Sequence, residues 1–257
     1  PAGIGALVSP HSTLEELYLA AQLVRGLGSD NIDYRLRNAQ FNAFEGVRWL
    51  GMPIAALQEL QSVLVLGSNL RKDHPLFAQR VRQAAKRGCK VFAINAQVQD
   101  WALPVTASAV ATKDWAQALA DIAVAVAQAK GVPAPVAGGT APAQAQAIAQ
   151  ALLAGERKAI LLGNAAAHHG HAAQLLALAQ WIGEQTGATV GYLTEAANTV
   201  GAQWVQAQPQ KDGKNAGEML TGAIKAAILL NTEPAFDAAA GAKGLEQADM
   251  VITLSPF

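Results

Sequence analysis

Short runs of consecutive apolar residues alternate along the chain with longer stretches in which apolar positions recur every three or four residues. Ile4–Val8 is the first run, followed by 63–66, 90–94, 159–162, 189–193, 227–230 and 249–254. A run without a polar face predicts a strand covered on both sides, as in a parallel sheet. Between the runs a helical period takes over. Leu14, Leu17, Tyr18, Ala21 and Val24 predict one apolar face that stops at Gly26 and Gly28. Ser12 with Glu15 reads as its capping box. Further helices are predicted over 76–87, 115–130, 147–153, 172–185 and 217–225. The first of these has Asp73 or His74 as cap and Pro75 in its opening turn. Strand–helix–strand units in series imply right-handed crossovers and helices on both faces of parallel sheets. The expected class is α/β with two Rossmann-like lobes.

Residues 131–146 interrupt the alternation with three prolines and three glycines, and read as a linker or a surface crossing. With 51% hydrophobic residues, the chain can bury a sizeable core. Its 19 Lys and Arg balance 19 Asp and Glu, which leaves no basic excess for a nucleic-acid partner. The single cysteine, Cys89, excludes a disulfide, a CxxC pair and a four-cysteine cluster within these residues. No apolar run approaches the ~20 residues of a membrane span, so no direct membrane insertion is expected. Pro1 stands where a Met would begin a chain, and Phe257 follows a strand-like run. Both ends look cut, so a piece of a longer protein is expected. Fifty-six alanines, most of them between 102 and 240, suit helices packed close to a sheet or reflect drift in the coding sequence.

Candidate chemistry is sparse. Gly67, Ser68 and Asn69 follow a strand, where a turn can present N–H groups to a phosphate or simply be tight. Gly163 and Asn164 repeat the feature, while GxGxxG and GxxxxGK[ST] are absent. His168, His169 and His171 form either a metal-ligating group or a polar loop into the next helix, and their spacing favours the loop. His11 and His74 sit at strand-to-helix turns and read as turn or cap residues. Cys89 reads as a buried, inert thiol. Arg80, Arg82, Lys86 and Arg87 form a basic helix face, either solvated or a partner contact. No catalytic residue and no metal ligand set is expected.

Several segments together resemble the molybdopterin oxidoreductase superfamily. They are 7–16 (Leu-Val-Ser-Pro-His-Ser-Thr-Leu-Glu-Glu), 28–33 (Gly-Ser-Asp-Asn-Ile-Asp) and 64–69 (Leu-Val-Leu-Gly-Ser-Asn) with His74 and Pro75. In the second half they are 195–202 with its Asn198-x-x-Gly201, 229–234 (Leu-Leu-Asn-Thr-Glu-Pro) and 249–254. Within the superfamily, 31–37 and 67–76 are most similar to the family of the large iron–sulfur subunit of bacterial NADH-quinone oxidoreductase (respiratory complex I).

The resemblance implies one α/β lobe inserted into the other, with 1–130 and 220–257 in the first and 140–215 in the second. It implies that Gly67, Ser68 and Asn69 are a vestigial pterin-nucleotide turn. Molybdenum enzymes of the superfamily place a Cys, selenocysteine or Ser ligand shortly after the Asn-x-Asp segment. Here the stretch is Tyr34-Arg35-Leu36-Arg37-Asn38-Ala39-Gln40. The superfamily's Asp-Pro-Arg turn is replaced by Asn95-Ala96-Gln97. Both departures match the complex I family, whose molybdopterin-like region is regarded as having lost its cofactor. The implied reading is a structural, cofactor-free region. The iron–sulfur clusters would lie in an amino-terminal part of the parent protein that these residues do not include. The partners would be other subunits of the complex I peripheral arm, on the cytoplasmic side of the inner membrane. A piece of a true molybdopterin-dependent oxidoreductase is the alternative.

Overall fold

The computed structural model describes residues 2–41 and 46–256, so Pro1 and Phe257, the ends that look cut, lie outside the described residues. The chain divides into two compact units: Pro1–Val47 with Thr194–Phe257, and Arg48–Leu193. In chain order the elements are β1 (Ile4–Val8), α1 (Leu14–Gly26), β2 (Ile32–Asp33), β3 (Ser62–Leu66), α2 (Leu70–Asp73) and α3 (Pro75–Lys86). Then come β4 (Lys90–Asn95), β5 (Thr106–Ala109), α4 (Trp115–Lys130), α5 (Ala143–Leu153), β6 (Lys158–Leu162), α6 (Asn164–Ala167), α7 (Ala172–Thr186) and β7 (Thr189–Tyr192). The last are α8 (Thr199–Trp204), α9 (Ala216–Glu218), β8 (Ala226–Leu230), α10 (Pro234–Asp237) and β9 (Met250–Leu254).

The expected lobe boundaries are corrected. β3 pairs in parallel with both β4 and β6, so strands on either side of 131–146 share one sheet. The Pro/Gly-rich segment is a surface crossing between α4 and α5, two helices of one core. The actual boundaries fall at 47/48 and 193/194, where composition does not change. Prolines and glycines mark where a backbone leaves a helix, and that is not the same as leaving a domain.

In the 48–193 unit the strand order is β5-β4-β3-β6-β7, all parallel. Side chains alternate between two cores because successive residues of a strand point to opposite faces. Leu64, Leu66, Ile160 and Leu162 pack under α4, α5 and α7. Val63, Val65, Ala159 and Leu161 pack on α3 and the 3-10 segment Ile54–Glu59. Buried Ala120, Ala123, Ala145, Ala149 and Ala179 let the three helices of the first face approach closely, which gives the alanine excess a packing role. The two ends of this unit meet: the Tyr192 N–H donates to the Trp49 carbonyl at 2.8 Å. β5, with the sequence Thr-Ala-Ser-Ala, has no apolar run and gives no strand signal.

The other unit has the order β2-β1-β8-β9, again all parallel. Ala6 and Val8 face α1 through Leu17, Ala21 and Val24, while Leu7 faces Met219, Leu220 and Leu229. The buried stripe of α1 is narrower than its apolar pattern, and Leu14 and Tyr18 are exposed. The capping box is Thr13 with Glu16, one residue later than predicted. The Glu16 carboxylate accepts from the Thr13 N–H at 2.8 Å. Ser12 is thereby released to accept a bond from Asn231. The helix expected over 217–225 is only α9 plus a π-turn over Met219–Ala223, because Gly222 adopts φ 95° and breaks it.

Asp30 ties the loop 206–211 to the end of α1. Burial alone would raise its carboxyl pKa. Bonds from the Gln210 N–H (2.6 Å), the Lys211 N–H (3.0 Å) and the Arg25 guanidinium (2.9 Å) outweigh that and hold it below its ordinary value. A depressed carboxylate contributes stability that is complete above its unfolded value, about 4, and is lost as pH falls through the lower folded value. Asp30→Asn is therefore expected to flatten the acid limb of this unit's stability curve. Urea midpoints between about pH 2 and 6 check it, and parallel curves for the two proteins would refute it.

Candidate functional site

In open α/β sheets, ligands bind outside the carboxyl ends of the strands, where the strand order reverses. In the 48–193 unit that point lies between β3 and β6. Gly67, Ser68 and Asn69 leave β3 there, and Gly163 and Asn164 leave β6. The structure brings these two sequence-predicted turns together. The Gly67 carbonyl accepts from the Ala165 N–H at 3.0 Å. A Cβ on Gly163 would overlap the Gly67 carbonyl and the Ser68 Cβ. Gly163→Ala is thus expected to cost about 1–3 kcal/mol by overpacking, read as a lower denaturant midpoint. The backbone of Gly163 is extended, so no conformational strain adds to the effect.

The crevice above the turns is filled by the chain itself. Gly67 takes φ +70°, and the Trp115 ring lies where its Cβ would be. Trp115 is buried and donates its Nε1–H to the Val110 carbonyl at 3.0 Å. His169 stacks on that ring at 5.7 Å, and its Nε2 lies 3.1 Å from the Thr112 carbonyl. The His171 N–H donates to His169 Nδ1 at 2.9 Å. Part of the histidine group therefore braces the tryptophan. Among the described residues, no three His, Cys, Asp or Glu side chains come together as a metal site needs.

The donors of the turn are also occupied. The Ser68 hydroxyl (3.2 Å) and the Asn69 N–H (2.9 Å) both donate to Asp73 Oδ2. Of the two cap candidates, Asp73 and His74, Asp73 is not the cap of α3. It folds back, and His74 occupies the cap position while stacking on Phe77 at 5.4 Å. Asn95 donates its Nδ2–H to the Ser68 carbonyl at 3.0 Å.

The second unit repeats this device, which the sequence pattern did not predict. Its strand order reverses between β1 and β8. Asn231 follows β8 as Gly67 follows β3, and it too is left-handed, with φ 51°. The Thr232 hydroxyl (3.2 Å) and the Glu233 N–H (2.8 Å) donate to Asp237 Oδ2. The pattern Asn-Thr-Glu-Pro after an apolar run was the available signal. Here the switch point opens into a cleft of about 590 Å³, lined by Ser9, His11, Ser12, Glu16, Asn231 and Asp237 among others. The Asn231 amide spans it, donating to Ser12 Oγ at 3.1 Å and to Glu16 Oε1 at 3.4 Å. The Glu16 carboxyl is held below its ordinary value, chiefly by the Thr13 N–H bond. Asn198 holds the backbone of one lining residue, donating its Nδ2–H to the Ser12 carbonyl at 2.9 Å. Among the described residues, the lining carries Glu16, Glu233 and Asp237 with His11 as the one basic side chain, so its character is acidic.

The stretch after Asn31-x-Asp33 is built around an ion pair. Arg35 Nε and Nη2 grip the Asp33 carboxylate at 2.8 and 2.9 Å, and both side chains are buried. Asp33 Oδ2 also accepts the Ala216 N–H at 3.0 Å. Cys89 belongs to the other unit, in the core beside α3. Burial pushes its thiol up to about 11, as expected of an inert cysteine.

The sequence profile of the molybdopterin oxidoreductase family matches residues 2–257. The chain belongs to the molybdopterin oxidoreductase family. Its two parallel sheets with helices on both faces are consistent with a domain of that family. Among curated proteins, it is 32% identical over 110 residues to the probable oxidoreductase YjgC of Bacillus subtilis (strain 168). That match takes in 40% of this chain and 11% of the relative, so the chain spans a small part of the relative's length. Among solved structures, it is similar in fold to a chain of the formyltransferase/hydrolase complex of Methylorubrum extorquens, determined with methylofuran. The TM-score there is 0.57 at 16% identity, over 90% of this chain and 70% of that one. No helix among the described residues of this family member is long and apolar enough to cross a membrane.

Proposed function

We propose that this chain is the molybdopterin-like region of the large iron–sulfur subunit of NADH-quinone oxidoreductase, and that it serves the peripheral arm as a structural element without a pterin cofactor. Membership of an oxidoreductase family supports the broader half of this reading. The observation that carries the rest is the stretch after Asp33. Where a metal would need a thiolate or alkoxide, Tyr34 and Leu36 are buried, and Arg35 lies between them locked to Asp33. A guanidinium paired to a carboxylate has no lone pair to offer a metal.

The phosphate contacts a pterin dinucleotide needs do not fit either. Ser68 and Asn69 already serve the Asp73 carboxylate, and Thr232 and Glu233 serve Asp237. In the 1–47/194–257 unit a polyphosphate would have to displace Asp237 and enter a cleft that Glu16 and Glu233 also line, against like-charge repulsion. No step of chemistry is derived through the group.

The test is purification of the parent protein through a tag at its native locus. The expected result is co-purification with the NADH-binding and quinone-side subunits, with molybdenum and tungsten at trace level and no fluorescent pterin after acid release. Stoichiometric molybdenum or tungsten, or a preparation free of those subunits, would overturn the reading.

A further inference from the structure

We propose that the outward face of α3 is a docking surface for an acidic protein partner. The chain is neutral overall, yet seven of its 19 Lys and Arg lie between residues 71 and 90. The same span holds one acid, Asp73, whose carboxylate accepts from Ser68 and Asn69. No Asp or Glu occurs from 74 to 99.

The structure gathers this charge onto one surface. Ala78, Val81 and Ala84 are the buried stripe of α3. At 100° per residue the opposite arc carries Arg82, Lys86, Leu76, Arg87 and Arg80, with Gln79 and Gln83 between them. Leu76, in the first turn of α3 with Arg80 one turn along, is 77% exposed. Among the described residues, none of these cations is in a salt bridge, and Arg71 alone of the seven is paired, to Asp100. The acids of the neighbouring elements are Asp73, which serves Ser68 and Asn69, Asp100, which pairs with Arg71, and Glu59 on the 3-10 segment that packs against α3. Lys86 and Arg87 also suit the negative end of the helix, but Arg80 and Arg82 are not explained in that way. Arg82 and Lys86 are four residues apart, where like charges repel. An opposing set of carboxylates would reverse that cost.

The chemistry favours protein over other polyanions. Three of the four α3-face cations are arginines, whose planar fork matches carboxylates two bonds at a time. An exposed leucine one helical turn from an arginine has the composition of an interface anchor. Single-stranded nucleic acid would call for exposed aromatic platforms, and Phe77 is instead stacked on His74. An anionic membrane would call for an outward apolar face, and that of α3 is spent on its own core. The inference goes beyond the proposed function and does not depend on which complex holds the chain.

The probe is a pair of short synthetic peptides of equal negative charge, one of Glu, Ser and Gly, the other with leucines in place of some serines. Binding to the full chain is read by fluorescence anisotropy at low salt. The leucine-containing peptide is expected to bind wild type roughly tenfold or more tightly than the Arg80→Glu/Arg82→Glu/Arg87→Glu variant, with affinity falling as salt rises. Leu76→Ser should abolish the advantage of that peptide over the leucine-free one and leave the latter unchanged. Circular dichroism verifies each fold, and the corresponding Arg→Gln triple replaces the charge reversal if that variant does not fold. Equal binding by wild type and the charge variants would overturn the proposal. So would tighter binding to poly(U) RNA or to phosphatidylserine vesicles than to either peptide, because that would assign the face to another class of partner.

Discussion

Replacing Arg35 by methionine is expected to destabilise the 1–47/194–257 unit by about 3–5 kcal/mol. The side chain is 7% exposed and its partner Asp33 is fully buried. Burial alone would lower the guanidinium pKa, but the Asp33 charge outweighs it and holds the pKa above its ordinary value. The guanidinium also lies over the Phe41 ring, 5.3 Å from its centroid. Methionine keeps much of the volume but leaves the Asp33 carboxylate in the core with two backbone donors, the N–H of residue 35 and that of Ala216, and no opposite charge. An uncompensated buried charge is among the costliest single defects. Hydrogen exchange at Ala6 and Ile32, whose strands pair beside Asp33, should accelerate most. The double variant Arg35→Met/Asp33→Leu should be less destabilised than the two single changes added together. A loss below about 1 kcal/mol for Arg35→Met would show that water reaches Asp33.

Trp115→Ala is the second large effect, expected to cost the 48–193 unit about 3–5 kcal/mol. The indole is 1% exposed, packs among Leu64, Leu66, Phe92 and Ile94, and covers Gly67. Its removal leaves a cavity under a turn that neighbouring backbone cannot move to fill. Gly67 and Gly163 are already at closest approach. It also frees the Val110 carbonyl and removes the stacking partner of His169. Trp115→Phe should retain most of the packing and cost less. Urea unfolding of each variant checks the size of the loss, and the His169 ring resonances report whether the brace has come apart. An alanine variant as stable as the phenylalanine one would refute the argument.

Strands buried on both faces were legible because nothing else produces a run such as Val-Leu-Val-Leu, and β3, β6 and β8 fall within one residue of their runs. α4 and the Gly67 and Gly163 turns were equally plain. What failed has specific causes. β2 is two residues long and β5 is polar and small, so neither leaves a hydrophobic trace. The lobe boundaries were misplaced because the Pro/Gly signal at 131–146 is local, while strand pairing is a long-range property. The capping box slipped by one residue because Ser12 and Thr13 offer the same hydroxyl, and only Asn231, far along the chain, decides between them. The cleft beside β1 and β8 was missed for the same reason: its walls come from the two ends of the sequence. The self-occupied turns could be read only once Asp73 and Asp237 were seen folding back.

The hydrogen bond between Trp49 and Tyr192 has a consequence for the order of assembly. β1 must pair with β8, and Ile4 meets Ala226, 222 positions along the chain. A ribosome delivers the whole of Arg48–Leu193 before β8 exists, so β1 has the two-residue β2 beside it but waits for its longer partner while the intervening sheet completes itself. Once Tyr192 has bonded to Trp49, the long intervening segment behaves as a short tether, and the entropy of closing β1 onto β8 falls accordingly. Synthesis thus places this distant pairing after the inserted unit's chain is complete, and closure of that unit makes the pairing easier.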